Sequence, residues 1–395
     1  MSVQDTATKR NTVYKRQFAF LLFFSGTVFK IAFLPSYITE AGGHANLLLI
    51  GAYLLFEFLL LIPIFCVVKY NLLAVLPKNF RAGVMILLFA FCAVKFSVMS
   101  GEAVFCISDN LFKDAYLVFI FFALTALVSY IAVKGSTVLA RMSELFIFIV
   151  VVCLIVNLIT VQSDMDFMFN LPLVGGGTRG FFGTLDRFLL WTGDFVPLMV
   201  FTLAAPRNTD ASQAKNTPRQ GGSIPRIKDG KKAGAKKSKV LPIMIGLTVV
   251  IVFAHYVFLN AIFKSAGEKV DNLIVDLGTF NIGNILVGRT DALSLGVWFV
   301  MIVLNLSLTM LAATEASSYF LRDRRMGTVA VNVFAVVLYL VGFKNMSKMF
   351  DFATGGIRYF MLAAEIVLPT AAVVGAWMKV KVENGKLKFE GEKQV

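Results

Sequence analysis

Ten predominantly apolar stretches of about 20 residues punctuate this chain, and that pattern decides its class. A helix of about 20 residues crosses the hydrocarbon of a bilayer, and helices and closed barrels alone can satisfy their backbone there. The stretches lie at 17–38, 46–68, 83–108, 115–133, 142–162, 184–205, 240–264, 290–313, 326–343 and 355–378. With 57% hydrophobic residues and a mean hydropathy of +0.76, the chain reads as an all-α membrane protein. A single ten-helix transmembrane domain over 17–378 is expected, between tails at 1–16 and 379–395. The basic start followed by an apolar run looks like a signal peptide, but the run is too long and lacks a small-residue cleavage site. It is better read as the first span.

The net charge of +14 could suggest nucleic acid, but the basic residues fall between the apolar runs. Of the 38 Lys and Arg, 27 lie on one set of alternate segments and nine on the other, while Lys30 and Lys95 lie inside spans. By the positive-inside rule both termini are cytoplasmic, and no nucleic-acid role is needed. The loop 206–239 holds ten Lys or Arg and reads as a solvated cytoplasmic loop able to touch anionic lipid headgroups or an acidic partner. Cys66, Cys92, Cys106 and Cys153 all sit in apolar runs without Cys-x-x-Cys spacing. With two His and neither a His-Glu-x-x-His nor a Gly-x-Ser-x-Gly motif, the sequence supports no metal, no cofactor and no enzymatic role.

The polar residues inside the spans carry the functional argument. The sixth span has Thr192, Gly193 and Asp194 at its middle, then Pro197; the first has Ser25, Gly26, Thr27 and Lys30, then Pro35. A charge in hydrocarbon is costly and should face a partner or a cavity. The two spans are five apart, so they cross in opposite directions. That is the pattern of a five-plus-five inverted repeat with broken helices 1 and 6 around a midplane site. A broken helix leaves backbone N–H and C=O groups for a ligand, an ion or water to satisfy. The plainer alternative is a packing glycine beside a structurally paired Asp. On the functional reading, Gly26, Thr27, Lys30, Thr192, Gly193 and Asp194 bind the ligand, with Lys30 either pairing with Asp194 or standing in an ion site.

A second group consists of ion, proton or pocket-lining candidates. Glu57 lies in the second span, and Lys95 and Glu102 in the third. The seven-residue spacing puts Lys95 and Glu102 on one face but about 10 Å apart, so each needs a partner elsewhere. Asn305 and Thr309, one turn apart in the eighth span, make a polar strip that serves either packing or a site. Arg141 and Glu144 suit an interfacial ion pair. Glu365 in the tenth span is a lone acid, and the Gly-rich 164–183 reads as a partly re-entrant lid.

Several segments together resemble the endospore germination permeases, the B-type subunits of nutrient germinant receptors within the amino acid/polyamine/organocation transporter superfamily. They are Phe33-Leu34-Pro35-Ser36, Lys134-Gly135-Ser136 with Arg141-Met142-Ser143-Glu144, Leu171-Pro172-Leu173 with its Gly-rich stretch, Gly193-Asp194 with Pro206, and Gly288-Arg289-Thr290-Asp291 with Trp298. The resemblance implies a leucine-transporter-like fold that binds a small nutrient, typically an amino acid, between helices 1 and 6. It further implies A-type and C-type partner subunits in the inner spore membrane. Two features depart from the family pattern: Val28, Phe29 and Lys30 fill a depth where small residues are usual, and 206–239 is long and basic. A secondary amino-acid transporter, proton-coupled or uncoupled, is the alternative, and a structural scaffold with a vestigial pocket is a third.

Overall fold

The computed structural model describes residues 12–35, 46–111, 116–161, 166–170, 182, 192–203, 239–263, 272–280, 290–321, 323–343 and 345–392. A two-residue strand β1 (Thr12–Val13) leads into α1 (Lys15–Ala32), followed by α2 (Asn46–Tyr70), the short α3 (Leu72–Val75), α4 (Lys78–Leu111), α5 (Leu117–Lys134) and α6 (Ser136–Thr160). After 3-10 turns at Phe167–Asn170 and Val196–Val200 and the strand β2 (Thr202–Leu203) come α7 (Val240–Phe263) and the short α8 (Leu273–Phe280). The chain ends with α9 (Thr290–Ser317), α10 (Arg324–Val341), the short α11 (Met346–Thr354) and α12 (Ile357–Glu392).

Eight of these helices, α2, α4, α5, α6, α7, α9, α10 and α12, are long and apolar enough to cross a membrane. The first expected span, α1, is set apart by Lys15, Arg16 and Lys30, and of the sixth only 192–203 is described, where the backbone is irregular. The spans form an inner and an outer layer. In the most apolar window of α9, 78% of residues are buried, and in that of α4 67%, against 28% in α6, α7 and α10. α4 and α9 pack on each other as the central pair. The outer helices expose Phe119, Phe148 and Val341, as suits a surface solvated by lipid tails.

Segments expected on one side of the membrane meet in space. β1 pairs in parallel with β2, Thr12 against Thr202 and Val13 against Leu203. Arg16 pairs with Glu144 at 2.7 Å, and Gln17 bonds the same carboxylate. At this end Gly135, with φ +97°, is the one residue between α5 and α6, and Arg324 donates to the Ala132 carbonyl and pairs with Glu315 at 2.6 Å. The predicted Arg141–Glu144 pair within α6 is replaced by the bridge from Arg16, because the close packing of α1 on α6 brings Glu144 within reach of the start of α1.

Two other expectations are revised. The first span is not interrupted at Gly26. α1 runs unbroken through it to Ala32, and its interruption falls two turns later, at Phe33. The expected polar tail from 379 is helical as far as Glu392. The loop 206–238, the N-terminal residues 1–11, the Gly-rich 171–181, the first half of the sixth span (184–191) and the motif at Gly288-Arg289 lie outside the described residues.

Candidate functional site

At the middle of the sixth span the described backbone, from Thr192 on, is irregular. Thr192 and Gly193 are non-helical, a turn follows at Asp194 and Phe195, and the next regular element is the 3-10 turn Val196–Val200 with Pro197 near its start. Gly193 takes φ +84°, a region side chains rarely adopt. A Cβ at this position would also lie 2.6 Å from Glu365 Oε2. Glycine is therefore required here both for conformation and for proximity. Gly26 serves proximity alone, since a Cβ there would lie 2.8 Å from the Phe195 ring.

Around this break five buried ionisable side chains converge from four directions. From α1, Lys30 Nζ lies 2.6 Å from Asp194 Oδ2 and 2.5 Å from Glu57 Oε2. From α4, Lys95 Nζ lies 2.6 Å from Asp194 Oδ1 and 3.5 Å from the Thr192 carbonyl. Asp194 thus holds one ammonium on each oxygen. Glu57, from α2, uses its other oxygen to accept the Asp194 N–H at 2.9 Å. From α12, Glu365 accepts the Thr192 hydroxyl. Lys30, Lys95, Glu57, Asp194 and Glu365 are each at most 3% exposed. Aromatic faces complete the enclosure: Tyr53 and Phe195 stand 5.4 and 5.5 Å from the Lys30 ammonium, and Phe29 and Phe91 stand 5.6 and 5.8 Å from that of Lys95.

Four groups of the broken backbone are satisfied from within. The Asp194 N–H goes to Glu57, its carbonyl accepts the Ser25 hydroxyl, the Thr192 carbonyl accepts Lys95, and the Gly193 carbonyl accepts the Val196 N–H at 3.1 Å. The expectation that a ligand, an ion or water must satisfy these groups is corrected: side chains of α1, α2 and α4 do so. Lys30 is fixed in turn at its backbone, where its carbonyl accepts the Tyr256 hydroxyl at 2.9 Å.

The expected residues divide accordingly. Lys30, Thr192, Gly193 and Asp194 come together, and Glu57 and Lys95 join them. Gly26 lies against Phe195, one residue from Asp194. Thr27 turns away, its hydroxyl bonding the Phe23 carbonyl in its own helix at 2.6 Å. Glu102 is buried two turns along α4, next to the Gly101 that packs on Met349 and Phe343, and is not brought to Asp194. Asn305 and Thr309 are buried in α9, where the Thr309 hydroxyl closes on the Asn305 carbonyl at 3.0 Å, a bond within the helix. Glu365 is the member that sequence reasoning left without a partner.

A separate groove of about 430 Å³ lies among α4, α5 and α9, lined by Ile107, Phe119, Leu127 and Phe299 among others. It is almost wholly apolar and sits twelve residues along α4 from Lys95, so it belongs to the outer wall and not to the charged site.

Fold and site together define a multi-pass integral membrane protein of the leucine-transporter-like class, a five-plus-five inverted repeat. Among solved structures the chain is similar to Mhp1, a nucleobase-cation-symport-1 family transporter, in a closed conformation with bromovinylhydantoin bound. The TM-score is 0.53, covering 97% of this chain and 94% of that one, at 12% identity. No protein-family model matches the chain, and no curated protein shows significant sequence similarity to it.

Proposed function

We propose that this protein binds a small polar nutrient, an amino acid in the first instance, at the break in its sixth span, and that Lys30 and Lys95 there take the place of a bound metal cation. The observation that carries the reading is the Lys30–Asp194–Lys95 bridge. Two fixed ammonium groups neutralise the carboxylate and hold the unwound backbone, so no metal cation is required to organise the site. Gly26, Thr192 and Gly193 supply small groups beside the charges, with the Phe195 ring against Gly26. Mhp1, solved with bromovinylhydantoin bound, supports a small-molecule ligand. The role is binding and conformational change, not catalysis.

The finer reading is that of a germinant-receptor subunit. On it, both termini are cytoplasmic, the protein sits in the inner spore membrane, and ligand-driven movement of α1 against the 192–200 segment is passed to A-type and C-type subunits. The motifs shared with the germination permeases support it, and the basic loop 206–239 supplies a cytoplasmic surface for anionic lipid or a partner. The likeness to Mhp1 favours a second reading, in which the same motion carries substrate across the membrane.

Thermal unfolding of the purified full-length chain against a panel of amino acids tests the shared core of both. A ligand at about 100 times its Kd stabilises by about 2.7 kcal/mol. The stabilisation is expected to be equal in sodium and in choline buffers and to vanish in Asp194→Asn. Stabilisation that requires sodium would overturn the role given to the lysines. Uptake by the chain alone in liposomes selects the transporter, and co-purification with a large partner and a lipoprotein selects the receptor.

A further inference from the structure

The five buried charges around the break do not balance. Lys30 and Lys95 supply two positive charges, whereas Glu57, Asp194 and Glu365 supply three negative ones when all are ionised. An uncompensated charge enclosed at this depth is strongly disfavoured, and one bound cation, the smallest being a proton, removes it. The three carboxyls are not equivalent. Asp194 holds both ammonium groups, and Glu57 holds Lys30 and a backbone N–H. Glu365 holds the Thr192 hydroxyl on one oxygen, and its other oxygen, Oε2, is buried against Gly193 with no hydrogen-bond partner among the described residues.

We propose that Glu365 is an exchangeable proton site, the carboxyl that sets the protonation state of the whole network. This rests on the reading of the break as the ligand site and adds its coupling ion. The groups that face Glu365 are fixed by what packs on α12. Lys95 comes from α4, Glu57 and Tyr53 from α2 and Asp194 from the break, and all four interact with it electrostatically. The short α3 carries no ionisable residue, and Lys348 and Asp351 of α11 are exposed. Among the described residues no group of three or more His, Cys, Asp or Glu is placed to hold a metal ion.

The consequence for mechanism follows from Thr192. Its hydroxyl binds Glu365 while its carbonyl accepts Lys95, so the two charged groups flank one residue of the broken backbone. When Glu365 releases its proton to water, the new carboxylate competes with Asp194 for the Lys95 ammonium. Drawing Lys95 away loosens one of the two bridges that hold Asp194 and with it the 192–194 backbone. Proton binding restores the closed arrangement.

Infrared spectroscopy of the full-length protein in lipid nanodiscs, across a pH series and without any nutrient, tests this directly. At neutral pH the protein is expected to show the C=O stretch of a protonated carboxylic acid. One carboxyl's worth of that band should be lost in Glu365→Gln, and the band should move in Thr192→Val, where the hydroxyl bond is gone. A wild-type spectrum with no such band, or a folded Glu365→Gln that keeps all of it, overturns the proposal. So does its disappearance on adding sodium at constant pH, which would assign the site to a metal cation. If Glu365→Gln does not fold, the wild-type spectrum and Thr192→Val decide, an unmoved band in the latter counting against the assignment. Nutrient binding is measured separately, so failure of that reading leaves this result intact, and the reverse.

Discussion

Lys95 Nζ lies 2.6 Å from Asp194 Oδ1 on the opposite edge of the carboxylate from Lys30, so that one acid joins two cations from helices 65 residues apart in sequence. The two cations are not interchangeable. Lys30 also serves Glu57, whereas Lys95 serves no second carboxylate at bonding distance among the described residues. Their removal should therefore differ in cost.

Lys30→Met strands Glu57 and leaves Asp194 with one ammonium, while Lys95→Met leaves Lys30 in place for both acids. Breaking a buried pair by removing one partner costs about 3–5 kcal/mol. Lys30→Met is expected to reach that range and Lys95→Met to fall below it, with Asp194→Asn partly rescuing Lys95→Met. Thermal unfolding of the four proteins in one detergent measures the order. Equal losses for the two lysines would contradict the shared role of Lys30.

The two glycines of the site make different demands. Gly193→Ala places a side chain at φ +84° and against Glu365, and strain of this kind costs about 1–3 kcal/mol before any clash is counted. Gly26→Ala meets the Phe195 ring first and, more distantly, Thr248. Adding Phe195→Leu should recover most of the stability lost in Gly26→Ala, whereas adding Glu365→Ala, which removes the carboxyl that the new Cβ would meet, should recover little in Gly193→Ala. Unfolding temperatures of the double variants settle it, and rescue at Gly193 by the second change would show that sterics alone explain the residue.

Much of this site could be read from residue type and depth. A carboxylate and an ammonium at matching depth in spans five apart predict the Lys30–Asp194 pair, and the seven-residue spacing of Lys95 and Glu102 correctly denies them each other. What the sequence does not carry is the rotational register between helices. That register decides that Lys95 turns to Asp194, that Glu144 faces Arg16 instead of Arg141, and that Glu365 meets Thr192. Gly26 departs from the expected helix break for a related reason. A glycine required by a neighbour's ring and a glycine required by a break look alike until the neighbour is known. A usable signal for Glu365 did exist in the count of intramembrane charges, which leaves acids in excess of lysines.

The Arg16–Glu144 bridge should be nearly neutral for stability despite its short distance. The Arg16 side chain is 63% exposed, and exposed ion pairs contribute about 0–1 kcal/mol and less in salt. Arg16→Ala is expected to shift unfolding far less than Lys30→Met, and the difference from wild type should shrink as ionic strength rises. A loss comparable with that of Lys30→Met would mean that the bridge closes a cooperative unit at the end of α1.

The same end of the bundle offers a lock. β1 and β2 run parallel with Thr12 opposite Thr202, and neighbouring strands lie about 4.8 Å apart, within the range a disulfide spans. Side chains alternate faces along a strand, so a one-residue shift of register turns the pair apart. Thr12→Cys/Thr202→Cys should therefore oxidise readily, and Thr12→Cys/Leu203→Cys more slowly, as read by protection from maleimide labelling. The bond ties the start of α1 to the chain just beyond the 192–200 segment, so it holds the two partners of the site together at one end. In the transporter reading, oxidation should stop flux in liposomes while leaving nutrient-induced thermal stabilisation in place, and reductant should restore flux. Unimpaired flux through the oxidised protein would show that α1 and the segment after the break do not separate at this end during the working cycle.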